Sequence, residues 1–216
     1  MNIRALIAEF LGVFTLCFVG IGAIAATQGG DLMVIALAHG LAIGLSVVAL
    51  GAISGGHFNP AVTFGMLITG RITPVGAVSY WVAQLLGGLV AAFFIGAIYS
   101  GTAVADGTPT PGANHTAIQA LMMEIFLTFF LVSVIFGSAV FNNYNFAGLA
   151  IGLAITMDIL AGGAVSGAAM NPARVLGPAI IGGEWAAHWV YWAGPLVGAG
   201  LAALLYDFLY SKRASS

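Results

Sequence analysis

Charge is what this sequence has least of. Only 6% of its 216 residues are Asp, Glu, Lys or Arg, against about 25% in a soluble domain. With 61% hydrophobic residues and a mean hydropathy of +1.07, such a chain cannot cover a water-facing surface, so its solvent is lipid. The net charge of −2 is too small and too scattered for a nucleic-acid partner. A single cysteine, Cys17, excludes an intramolecular disulfide. The four histidines are dispersed, without metal-ligand spacing and without a nucleophile–base set, so neither a metal or other cofactor nor an enzyme activity is expected.

What the chain does have is long apolar runs. Six stretches, roughly 4–26, 33–53, 75–100, 117–140, 145–164 and 187–210, are long enough to cross a hydrocarbon core of about 30 Å. The first runs on past Ala26 without a short polar cleavage region, so it reads as a span and not a cleaved signal. Two shorter runs, roughly 59–69 and 171–181, are each about 15 Å long as helices, half a bilayer. Both open with the same triplet, Asn59-Pro60-Ala61 and Asn171-Pro172-Ala173. Asparagine is a good N-cap and proline is favoured at the first helical position. Both runs are therefore predicted to be half-helices that enter from a membrane face and stop midway.

Arg4, Arg71, Lys212 and Arg213 fall on one side of these spans, and Asp31, Asp106 and Glu184 on the other. The positive-inside rule makes the first side, with both termini, cytoplasmic. The cell (inner) membrane is the expected location. The second half of the chain repeats the first: Ala8-Glu9-Phe10-Leu11 matches Met123-Glu124-Ile125-Phe126, and the triplets recur with similar flanks. One domain, 1–216, thus reads as two repeats, about 1–105 and 116–216, joined by an extracellular loop. Each repeat has an odd number of spans, so the two insert with opposite polarity and the half-helix N-termini meet near the midplane. Irregular backbone at that depth is tolerated where it is buried or lines a water-filled cavity, so the fold contains a central pathway.

The two triplets, a glutamate in spans 1 and 4, and Arg174 three residues after the second Asn resemble the aquaporins of the major intrinsic protein family. The resemblance covers essentially the whole chain. It implies an all-α membrane protein with six transmembrane helices plus two re-entrant half-helices in an inverted repeat. It also implies a homotetramer in the lipid bilayer, with one pore per subunit for water and small neutral solutes.

The pathway chemistry follows. Two facing helix N-termini bring about half a positive charge each to the centre, which repels cations. Asn59 and Asn171 cap through their side-chain oxygens, leaving each NH2 as a donor towards the pore. A water accepting from both points its hydrogens outward, which disfavours a proton wire. By resemblance, Gly55, Gly56, His57 and Phe58, with Gly167, Ala168, Ala169 and Met170, form a ladder of carbonyl acceptors. His57 is either a pore-facing donor or a buried anchor for its loop, with the anchor preferred.

Arg174 is costly to leave unpaired at membrane depth. One solution is a salt bridge to Glu124 or Glu9. In aquaporins, however, this arginine borders the narrowest constriction, and the resemblance then makes Glu9 and Glu124 acceptors for re-entrant-loop N–H groups. The family's remaining constriction positions, carried over by their offset from the triplets, make the filter that the resemblance implies His39, Ile159, Ala168 and Arg174. For His39 the alternative is burial between spans 2 and 6. This set departs from strict water channels, which usually carry Phe on span 2 and His on span 5. It resembles plant tonoplast intrinsic proteins, some of which also pass ammonia. Glycerol channels usually place Asp where this chain has Val175. A broader pore for hydrogen peroxide or glycerol is the alternative function. Asp158, a carboxyl at membrane depth, reads as bonded to backbone between helices; a bond to His39 or a loop amide, protonation, or a functional role are the alternatives. Whether the loop carrying His115 reaches the filter stays open.

Overall fold

A computed structural model describes residues 2–211; Lys212 and Arg213 of the topology reading lie outside them. The elements are α1 (Ile3–Thr27), α2 (Leu32–Ser54), α3 (Pro60–Ile68), α4 (Pro74–Ile98), α5 (Gly101–Asp106), α6 (Ala117–Ile135), α7 (Ala147–Ser166), α8 (Pro172–Gly182) and α9 (Val190–Ser211). A π-helical turn, Phe136–Val140, extends α6. Among the described residues, six helices are long and apolar enough to cross a membrane: α1, α2, α4, α6 with its π turn, α7 and α9.

Local signals in the sequence account for most boundaries. Thr116 and Gln119 close a reciprocal capping box on α6. Thr73 caps α4, with Pro74 at its first position. Helices α2 and α7 end alike, on left-handed Gly55 (φ 91°) and Gly167 (φ 79°). A residue with a Cβ would be strained there. These two glycines turn the chain back into the membrane towards the half-helices α3 and α8.

The spans stand where hydropathy put them, with three differences. Span 3 stops at Ile98, and a separate short helix α5 follows. Its start is set by Ser100, whose side chain accepts from the Ala103 N–H. Span 6 begins at Val190 because the preceding residues form turns. Span 4 ends in the π turn, a device that hydropathy does not register.

Helices approach closely through small residues, as packing in lipid favours. A Cβ on Gly40 would lie 2.4 Å from the Gly152 carbonyl, so α2 and α7 touch backbone to backbone. A Cβ on Gly88 would lie 2.3 Å from the Ala173 carbonyl, so α4 presses directly on the second triplet. Large apolar side chains such as Leu41, Leu45, Leu149, Leu153 and Met157 point outwards, as a lipid-facing surface requires.

The central passage and its constriction

Each re-entrant loop hangs on a buried glutamate. Glu9 Oε1 accepts from Ser54 Oγ at 2.6 Å and the His57 N–H at 3.0 Å. Its Oε2 accepts from the Phe58 N–H at 2.7 Å and Gln84 Nε2 at 2.7 Å. Glu124 repeats the pattern with Ser166 Oγ (2.7 Å), the Ala169 N–H (2.9 Å) and the Met170 N–H (2.7 Å). Tyr80 and Tyr191 donate to the carbonyls of Ser54 and Ser166 respectively. Both carboxyls therefore serve the loops, and neither pairs with Arg174.

The loops lead to the two caps. Asn59 Oδ1 accepts from the Ala61 N–H at 2.8 Å, and Asn171 Oδ1 from the Ala173 N–H at 3.0 Å. Their Nδ2 atoms cross over: Asn59 donates to the Met170 carbonyl at 2.8 Å, Asn171 to the Phe58 carbonyl at 2.9 Å. This modifies the sequence reading twice. One hydrogen of each NH2 is committed to protein, leaving the other. The carbonyls of Phe58 and Met170, placed in the acceptor ladder, bind the opposite half-helix cap. Phe58 and Met170 adopt left-handed backbone (φ 46° and 52°), as does Ala168 (φ 46°). Such conformations cost about 1–3 kcal/mol each; Phe58 and Met170 are held by the glutamate and asparagine bonds, and Ala168 by its N–H to Ser166 Oγ.

Around these groups lies a narrow cavity. His39, Ile159, Ala168 and Arg174 line it, together with Asn59, Asn171 and apolar side chains including Val62, Leu131 and Ile151. The four predicted filter residues thus share one cavity.

Arg174 is buried, with its Nη1 donating to the Gly107 carbonyl at 2.9 Å. Its Nη2 lies 3.3 Å from His39 Nε2, and Nε has no partner among the described residues. His39 Nδ1 lies 2.8 Å from the Ile35 carbonyl. A carbonyl only accepts, so Nδ1 carries the hydrogen and Nε2 offers its lone pair to Arg174. The ring packs against Gly20 of α1 while facing the cavity. It is not a histidine between spans 2 and 6.

The segment before α6 does reach Arg174, through the Gly107 carbonyl. His115 is not among the residues lining the cavity, and its Nδ1 has no partner among the described residues. Asp158 corrects another expectation. It is buried, yet neither carboxyl oxygen has a hydrogen-bond partner among the described residues, so the anticipated bond to backbone is absent. His57 joins the two alternatives: its backbone N–H is held by Glu9 and its ring sits edge-on to Tyr80, 5.1 Å between centroids, while the residue also lines the cavity. Sequence reasoning missed Gln84, Thr63, Tyr80, Tyr191 and Gly107. The polar Gln84 inside an apolar span was the one available signal.

A model of the major intrinsic protein family, described as Major intrinsic protein, matches residues 1–206. The chain belongs to the major intrinsic protein family. As a family member it is an integral, multi-pass membrane protein and no enzyme. It is 42% identical over 222 residues to Aquaporin TIP2-1 of Arabidopsis thaliana, an alignment covering 97% of this chain and 88% of that one. It is 44% identical over 220 residues to Probable aquaporin TIP1-2 of Oryza sativa subsp. japonica, covering 96% and 86%. The fold matches the X-ray structure of the aquaglyceroporin from Plasmodium falciparum with a TM-score of 0.89 at 26% identity, over 100% of this chain and 99% of that one. The family architecture of six spans and two inverted half-helices thus agrees with the helices described above.

Proposed function

We propose that the protein is a passive channel for water and small neutral solutes that excludes protons and other ions. The observation that carries the reading is the crossed pair of asparagine caps at the meeting of α3 and α8. Each cap keeps one amide hydrogen, and the two helix N-termini place positive potential at the same point. A water there can accept from both, while a cation meets repulsion. Arg174 adds a fixed charge at the constriction. The named relatives, aquaporins of the TIP group, support the same solute class.

In this reading 1–216 is one channel domain of two repeats, about 1–105 and 116–216, with cytoplasmic termini, and four copies assemble as a homotetramer. The relatives' TIP names draw the location towards an internal membrane and away from the cell membrane. Ammonia is proposed as a second solute, because apolar Ile159 and Ala168 leave room opposite His39 and Arg174. Hydrogen peroxide and glycerol belong to a broader pore, and Val175 in place of a glycerol-channel Asp makes glycerol the weaker candidate. Proteoliposomes under an osmotic step should shrink much faster than empty liposomes, with a low activation energy. Equal shrinkage rates would refute the channel.

A further inference from the structure

The two loops differ in one respect that their shared pattern conceals. Beside the first loop, Gln84 Nε2 reaches both Glu9 Oε2 (2.7 Å) and Thr63 Oγ1 (3.0 Å), and Thr63 Oγ1 lies 3.1 Å from His57 Nδ1. Beside the second loop nothing comparable exists among the described residues. Tyr191 takes the part of Tyr80, and four residues on, Pro195 stands where Gln84 does. Counting from each triplet, Val175 replaces Thr63 and Ala169 replaces His57. Val175, Ala169 and Tyr191 belong instead to a small apolar cluster.

The donors on Glu9 set the polarity of this chain of bonds, with Gln84 Oε1 left buried and without a partner among the described residues. Glu9 accepts from four donors, which fill the lone-pair directions of a carboxylate. The Gln84 amide must therefore turn its nitrogen to Glu9, since the reverse orientation would set oxygen against oxygen. Its second N–H then goes to Thr63 Oγ1. Thr63 is fully buried. Among the described residues its Oγ1 has two partners, Gln84 and His57. With Gln84 donating, the Thr63 hydroxyl hydrogen has His57 Nδ1 as its acceptor, and directing it elsewhere would leave a buried donor unsatisfied. Nδ1 is then unprotonated, and the ring hydrogen sits on Nε2. His57 lines the central cavity.

We propose that Gln84 and Thr63 are positioning residues that lock His57 as its Nε2–H tautomer, so that one of the two loops presents a fixed side-chain N–H donor to the oxygen of a permeating molecule. The inference deepens the channel reading and rests on it for the permeant. It sets the two histidines of the passage in opposite tautomers, since His39 carries its hydrogen on Nδ1. The second loop, with Ala169, offers no such donor, so the passage is chemically asymmetric about its centre.

Solid-state NMR of protein carrying ¹⁵N-histidine in lipid bilayers tests this directly. The signals missing in His57→Asn identify His57. The expected wild-type result is a proton bonded to Nε2 and a bare Nδ1. Thr63→Val should shift Nδ1 towards the protonated position, and Thr63→Ser should restore the wild-type spectrum. Thr63→Ala, which removes the hydroxyl without adding bulk, should produce the same shift if the valine variant does not fold. A wild-type ring protonated on Nδ1, or an unchanged tautomer in the variants, overturns the proposal. Osmotic shrinkage of the same vesicles is read separately. Absent water flux with an Nε2–H ring would refute the channel reading and leave the lock standing.

Discussion

Asn171 gives one amide hydrogen to the carbonyl of Phe58, 2.9 Å away in the opposite repeat, and Asn59 reciprocates at Met170. The caps of the two half-helices are therefore ties between repeats as well as donors. Asn171→Asp keeps an oxygen for the Ala173 N–H and loses the donor to Phe58. It also sets a carboxylate where two helix N-termini meet. The substitution is expected to destabilise the fold by about 1–3 kcal/mol and to admit cations. Cation flux equal to wild type in vesicles that still pass water would argue against the electrostatic account of exclusion.

Arg174→Val removes the fixed charge and both guanidinium contacts, to Gly107 and His39. Valine is also much smaller, so the constriction widens as well as losing donors. Urea uptake and proton leak should both rise in reconstituted vesicles. A folded variant that stays at wild-type levels for both would place the constriction elsewhere.

Gly88→Val tests the backbone contact between α4 and the second triplet. A Cβ there meets the Ala173 carbonyl at 2.3 Å, and neither backbone can easily give way. Overpacking of this kind costs about 1–3 kcal/mol or more. Thermal unfolding in detergent should move to lower temperature, and water flux should fall with it. Gly101→Ala, where nothing lies within 4 Å of the added carbon, serves as the control and should behave as wild type. Equal melting temperatures for the two variants would show that α8 can shift away.

Most of the architecture was legible because each part has a local cause. The six spans follow from run length, the half-helices from Asn-Pro at their starts, and the inverted repeat from Glu9 and Glu124 in matching places. The filter set was reached by family resemblance, at offsets from the triplets, and all four residues do line one cavity. What sequence could not give is pairing across space. That Gly107 would turn its carbonyl to Arg174 depends on the short helix α5, whose six residues carry no hydropathy signal of their own. That Asn59 would donate to Met170 depends on the loops crossing, which periodicity does not encode. Asp158 is the reverse case: its burial was foreseeable from its span, but the backbone partner assigned to it is absent.

His39 bears on the passage of ammonia through its contact with Arg174. An imidazole with a free lone pair could accept from water or ammonia, yet His39 Nε2 is turned to Arg174 Nη2 at 3.3 Å while Nδ1 donates to Ile35. Its contribution is therefore to hold the guanidinium and to occupy a set width. The ring already abuts Gly20: a Cβ on that glycine would come 2.2 Å from Nε2. Phenylalanine, with a larger ring, has no room to extend towards α1 and must lean into the passage. His39→Phe should thus narrow the filter and release Nη2, leaving Arg174 held by Gly107 alone. Ammonia, slightly larger than water, should lose more of its flux than water does. Parallel stopped-flow runs on one batch of vesicles, with sucrose and with ammonium gradients, compare the two. If both fluxes fall in the same proportion, width at His39 does not discriminate between them, and the ammonia part of the proposed function fails while the water channel stands.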